Sequence, residues 1–113
     1  MTPSKVIYFA STYSSKEPDL VQERYKLACQ RVANLVAKGY VVFSPIIYGH
    51  TLIDYHEMPG DWEFWKNFCQ SFLVKCDEMI VFKLEGWDKS TGILAEIDLA
   101  NQLNIPITYI EPW

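Results

Sequence analysis

The chain lacks most of the features by which a short sequence declares its chemistry. Its three cysteines, Cys29, Cys69 and Cys76, are an odd number with no C-x-x-C pair. A disulfide framework is not expected, and reduced thiols in a cytoplasmic protein are. No apolar run approaches the ~20 residues of a membrane span, and the N-terminal run at Val6–Ala10 is too short for a signal-peptide core, so no membrane partner is expected. No run of like charge exceeds three residues and the formal net charge is −4, which argues against a basic nucleic-acid surface. Neither G-x-G-x-x-G nor the P-loop pattern occurs, and the loop after the first apolar run has no glycine at all. Dinucleotide binding in the Rossmann manner and ATP binding in the P-loop manner are therefore not expected. Histidine is scarce, with only two residues. His50, Asp54, His56 and Glu57 cluster in sequence but fit no zinc template, and neither a metal nor a cofactor is expected.

What the chain does have is apolar. Of its 113 residues 50% are hydrophobic and 15% aromatic, enough for one packed core in a single domain spanning 1–113. Val6–Ala10 is continuous and rich in β-branched and aromatic residues, the pattern of a central parallel strand buried on both faces. Hydroxyl residues follow at 11–15, with Ser14 or Ser15 as N-cap of a helix whose first turn holds Glu17, Pro18 and Asp19. Val21, Tyr25, Ala28, Val32, Leu35 and Val36 keep a helical stripe, and Gly39 ends it. Residues 40–44 read as a second strand closed by Pro45. Residues 46–60 are the least regular part and are expected to form a folded aromatic flap. Asp61 caps a second helix with Trp62, Trp65, Phe68, Cys69, Phe72, Leu73 and Cys76 on one stripe. Residues 79–84 form the third strand, a helix follows to near Asn104, and 105–110 form the last. Strands separated by helix-length connections predict a flavodoxin-like three-layer α/β/α fold, with a mainly parallel sheet of four to five strands.

The last helix carries the most informative residue. At 100° per residue, Ile93, Ile97, Leu99, Ala100 and Leu103 gather on one side. Glu96 points into the middle of it, roughly 160° from Asp98. A carboxylate there must lose water at a cost of several kcal/mol or hold its proton. It either pairs with a core Arg or Lys, bends to the rim, or sits in a closed pocket at the sheet's carboxyl edge, where ligands bind in open α/β folds. The loop at 11–15 faces the same edge and offers hydroxyls and backbone N–H groups to a phosphate or ribose, or is merely a polar turn. Cys69 reads as a core thiol, and most of the aromatic residues of its helix as core, with the remainder forming a subunit interface or stacking a base.

Three features together resemble the nucleoside 2-deoxyribosyltransferase superfamily: IYFAS on the first strand, PII after the second, and CDEMIVF running to GWDKSTGILAEIDLA. The resemblance spans nearly the whole chain. Within the superfamily the chain looks most like a small group of short bacterial and phage proteins of unknown function. It implies a nucleoside or nucleotide ligand, cleavage or transfer of an N-glycosidic bond, and a homo-oligomer whose pockets are completed by a neighbour. By this match Glu96 is the catalytic nucleophile and Tyr8 orients it. Ser11, Thr12, Trp87, Asp88, Ser90 and Gly92 are expected to bind substrate, Ser90 at the position that favours a 5′-monophosphate. One departure stands out: Cys69 occupies the position of the family's leaving-group Asp, for which Asp61, Asp88 or a flap residue would have to substitute. The rival readings are a non-catalytic nucleotide-binding module of the same fold and a protein-interaction domain.

Overall fold

A computed structural model describes residues 4–113. Its four strands, β1 (Val6–Ala10), β2 (Val41–Phe43), β3 (Glu78–Phe82) and β4 (Ile107–Ile110), form one parallel sheet in the order β2-β1-β3-β4. Four helices connect them: α1 (Pro18–Ala37), α2 (Pro45–His56), α3 (Trp62–Leu73) and α4 (Thr91–Gln102). A short 3-10 turn at Trp87–Lys89 leads into α4. Among the described residues no helix is long and apolar enough to cross a membrane.

The two faces of the sheet divide by the period of two along each strand. Ile7 and Phe9 of β1 and Ile80 and Phe82 of β3 pack with Ala28 and Leu35 of α1. Tyr8, Ala10, Met79 and Val81 point the other way, into a layer made by Trp65, Cys69 and Leu73 of α3 and Ile93 and Ala100 of α4. This is the expected flavodoxin-like α/β/α arrangement, with a central strand pair buried on both sides. The chain leaves β1 for β2 on one side and returns to β3 on the other. The topological switch point therefore lies between the carboxyl ends of β1 and β3.

Two local expectations are corrected. Residues 46–60 are not an irregular flap, because Pro45–His56 is a helix. Pro45 does end β2, but it does so as the first helical residue, where its missing N–H is harmless and its fixed φ suits the turn. Ser44 is the N-cap, its Oγ accepting from the Ile47 amide at 3.2 Å. The helix runs until Glu57 takes a left-handed φ of 53°. Gly49, Thr51 and the aromatic residues give it weak intrinsic propensity; packing of Ile47, Leu52 and Ile53 against the two cores supplies what propensity does not. Similarly, neither Ser14 nor Ser15 caps α1. Pro18 holds the preceding Glu17 extended, so the helix cannot begin earlier. Ser14 Oγ instead donates to the Gly60 carbonyl at 2.9 Å, and Ser15 Oγ accepts from the Glu17 amide at 3.1 Å.

The cap at Ser44 makes α2 dependent on one hydroxyl. Ser44→Ala is expected to lower unfolding stability by about 1 kcal/mol and Ser44→Gly by only a few tenths. Urea unfolding at matched pH measures both, and a Ser44→Ala protein as stable as wild type would show that the hydroxyl is not what holds the helix start.

Candidate active site

Both loops that leave the switch point, and the helices that follow, frame a cavity of about 420 Å³. Glu96 forms part of its wall and is only 5% exposed. Its place follows from α4: the helix buries Ile93, Glu96 and Ala100 on one line against the sheet, so the carboxylate is drawn in with the apolar residues. Among the described residues no cation forms an ion pair with it; the pairs Lys66 with Glu63 and Lys83 with Glu111 do not involve α4. The structural alternative of a core salt bridge is therefore not what the fold contains. Glu96 Oε2 accepts from the Tyr8 hydroxyl instead. Tyr8 is fully buried in the middle of β1, so each group meets the other's hydrogen-bonding need.

Burial decides the protonation of this group. Loss of water pushes the Glu96 carboxyl up from 4.5 to about 7, against the opposing pull of the Tyr8 hydrogen bond. The Tyr8 hydroxyl is itself held well above its ordinary range, first by burial and then by the Glu96 charge. Cys69 lies against both, and burial together with Glu96 pushes its thiol up to about 12. It stays protonated at neutral pH and is neither an activated nucleophile nor a useful acid.

The rest of the wall is amphipathic. Ile53, Trp62, Trp65 and Ile93 make it apolar on the helical side. Ser11, Thr12 and Ser90 stand at the loop side, joined by Asp61 and by the cations Arg24 and Lys89. Most of these polar groups are already engaged. Ser90 Oγ accepts from the Ile93 amide as N-cap of α4, and Asp61 Oδ2 accepts from the Phe64 amide as N-cap of α3. Arg24 donates to the carbonyls of Tyr13, Ser14 and Glu85, at 3.4, 2.8 and 3.4 Å, and so fastens the β1–α1 loop to the β3–α4 loop. Ser11 Oγ and Thr12 Oγ1 are different: both are buried and neither has a partner.

Of the eight residues expected to act, the fold gathers Glu96, Ser11, Thr12, Ser90 and Gly92 on the cavity wall, with Tyr8 directly bonded to Glu96. Gly92 serves by its lack of a side chain, since a Cβ would stand 3.0 Å from the Trp62 ring. Trp87 and Asp88 are not on the wall. Trp87 packs on Tyr109 at 5.6 Å with Lys83 over its ring, and Asp88 is exposed on the 3-10 turn. They follow Gly86, whose left-handed φ of 94° turns the chain outward before α4 begins. His50 is not presented to a metal. It is stacked on Tyr25 at 3.8 Å and bonded to the Tyr13 hydroxyl at 2.7 Å, and among the described residues no three His, Cys, Asp or Glu side chains converge. Arg24 and the Tyr13–His50 contact were not legible beforehand, since nothing in the α1 stripe or in the flap sets them apart.

A family model described as a domain of unknown function, DUF1937, matches residues 5–111, and the chain belongs to that family. No curated protein matches it.

The raised carboxyl has a consequence for stability. A folded-state value above the unfolded one means that the native protein holds the proton longer. The contribution is complete below about 4.5 and is lost as pH rises through about 7. Glu96→Gln cannot ionise and should escape that loss. Its stability relative to wild type is expected to rise by roughly 3 kcal/mol between about pH 4 and about pH 8, read by denaturant unfolding at each pH. A difference that stays flat would mean that folding does not raise the Glu96 carboxyl above its unfolded value.

Proposed function

We propose that this DUF1937 member binds a nucleoside or nucleoside 5′-monophosphate in the cytoplasm and cleaves its N-glycosidic bond through Glu96. The observation that carries the reading is a carboxylate that forms no ion pair among the described residues, in the wall of an amphipathic cavity, bonded to a buried tyrosine. A salt-bridged carboxylate would be held by its partner; this one is free to meet a developing positive charge. Trp62 and Trp65 suit a flat heteroaromatic base and the hydroxyl side suits a sugar.

In this mechanism a Glu96 oxygen attacks the anomeric carbon as the C–N bond breaks, and the bonding pair leaves with the base nitrogen. The fixed negative charge stabilises the oxocarbenium-like transition state, and an ester to Glu96 results. Tyr8 holds the carboxylate in line. Water then adds to the anomeric carbon, the ester oxygen leaves with its electron pair, and the water's second proton passes to solvent. A second base in place of water would give transfer. The departing base needs a proton, and Cys69 cannot supply it with a thiol pushed up to about 12. Asp61 is the other carboxyl on the wall and is assigned that role, relaying a proton from solvent at the exposed mouth. The presence of Cys69 where the resembling enzymes carry an acid favours one rival, a module that binds the ligand without turning it over.

Release of free base from nucleosides and their monophosphates separates the two readings. With turnover, kcat/KM should climb as pH rises through about 7, where Glu96 ionises. Glu96→Gln should lose roughly three orders of magnitude or more, and Tyr8→Phe part of that. A 2-fluoro nucleoside analogue should leave its sugar on the peptide containing Glu96. An adduct elsewhere, or full activity in Glu96→Gln, would refute the mechanism. We further propose a homo-oligomer, on the ground that Val41, Tyr48, Phe64 and Phe72 remain 50, 52, 47 and 40% exposed. Light scattering at micromolar concentration should give more than the monomer mass.

A further inference from the structure

The polar wall of the cavity is unevenly committed. Glu96 is bonded to Tyr8, Ser90 to the Ile93 amide, Asp61 to the Phe64 amide, and Arg24 to three carbonyls. Among the described residues only Ser11 Oγ and Thr12 Oγ1 are buried side-chain polar atoms without a partner, and both residues are 7% exposed. A buried hydroxyl left alone is costly, and here two adjacent ones belong to residues on a cavity wall, where a ligand can supply the partners.

The chemistry of those partners can be narrowed. A hydroxyl donates one hydrogen bond and accepts others, so it is matched by a group that does both. A sugar hydroxyl does; a phosphate oxygen only accepts. Charge points the same way. The inner wall carries Glu96, and a second anion close to it would oppose ionisation of that group. The cations that would suit a phosphate, Arg24 and Lys89, line the cavity from partly or fully exposed positions. Position agrees as well. Ser11 and Thr12 continue the strand that carries Tyr8, about 10 Å of chain further toward the carboxyl edge at the rise of a strand. Glu96 lines the same cavity as Ser11 and Thr12.

We infer that Ser11 and Thr12 grip the secondary hydroxyls of the sugar, and that they select a ribose retaining its 2′-hydroxyl over a 2′-deoxyribose. The inference rests on the nucleoside reading above and adds the sugar class to it. With Glu96 at the anomeric carbon, the 2′-hydroxyl is one carbon away and is the first group to meet the wall. A 2′-deoxy ligand would leave a serine or threonine hydroxyl buried and unpaired, which is how a site rejects an analogue lacking a hydroxyl. Phosphate, when present, would be left to the outer rim.

Calorimetry tests this on the full chain, in Glu96→Gln so that no ligand turns over during titration. The ligands are adenosine, guanosine, cytidine and uridine, their 2′-deoxy counterparts, and inorganic phosphate. The ribonucleoside that binds best should exceed its 2′-deoxy form by about ten-fold, the value of one hydrogen bond. Adding Ser11→Ala and Thr12→Val should bring the two forms to near parity and leave phosphate binding unchanged. Thr12→Val keeps the side-chain shape, and Ser11→Ala alone, which adds no volume, is the control should the double change impair folding. Equal affinity of the two sugar forms, a ten-fold gap that survives loss of both hydroxyls, or a loss confined to phosphate would each overturn the inference while leaving nucleoside binding intact. Binding of no nucleoside at all, with no base released by wild type, would overturn the nucleoside reading and this inference together.

Discussion

A carboxylate and a phenol share one hydrogen bond in the dry interior of this protein, and much of the architecture follows from that bond. Tyr8 sits in the middle of β1 with no exposure, and its hydroxyl needs an acceptor there. Glu96 lies on the buried line of α4, and its carboxylate needs a donor. Neither requirement is met within its own element. They are met together only if α4 is laid across the β1–β3 side of the sheet, with α3 beside it carrying Cys69 and Leu73. The cost of this solution is a carboxyl raised to about 7, a group poised between charge states at neutral pH. A stabilising design would place an apolar residue at this position. Retaining the carboxylate is the pattern expected where stability is traded for chemistry.

The surrounding wall is held by contacts that cross between elements. Arg24 on α1 binds carbonyls from both loops at the switch point, and the Tyr13–His50 pair ties the first of those loops to α2. The Ser14 hydroxyl reaches the Gly60 carbonyl on the far side. These tethers explain why the hydroxyls of Ser11 and Thr12 stay buried without partners of their own: the loop is fastened by its neighbours, and the two side chains are not needed to hold it. Rigid support from outside is what allows polar groups to be kept available inside.

Legibility varied with the kind of signal. Strands β1 and β3 and helices α1, α3 and α4 announce themselves by period, and the cap of α3 at Asp61 by residue type. Helix α2 did not, because Ser44 and Pro45 serve a strand's end and a helix's start equally well, and the residues after them favour neither state strongly. Trp87 and Asp88 are close neighbours of Ser90 in the sequence. The turn at Gly86 sends them to the outside, where proximity along the chain means nothing for the cavity. Tyr8 was legible only through the family resemblance; as one residue in an apolar run it carries no mark of its partner.

By itself the sequence determined the class of fold, the order of every element except α2 and the place of Glu96 on the apolar side of its helix, because each of these depends on periodicity and composition within a short window. The tertiary structure alone decided what Glu96 meets. Its partner is 88 residues away in the chain, and the lack of an ion pair to it among the described residues is a property of packing that no local pattern records. The same holds for the unpaired hydroxyls of Ser11 and Thr12. Their residue types suit any polar turn, and only the tertiary structure removes the hydroxyls from water and puts the two residues on a cavity wall.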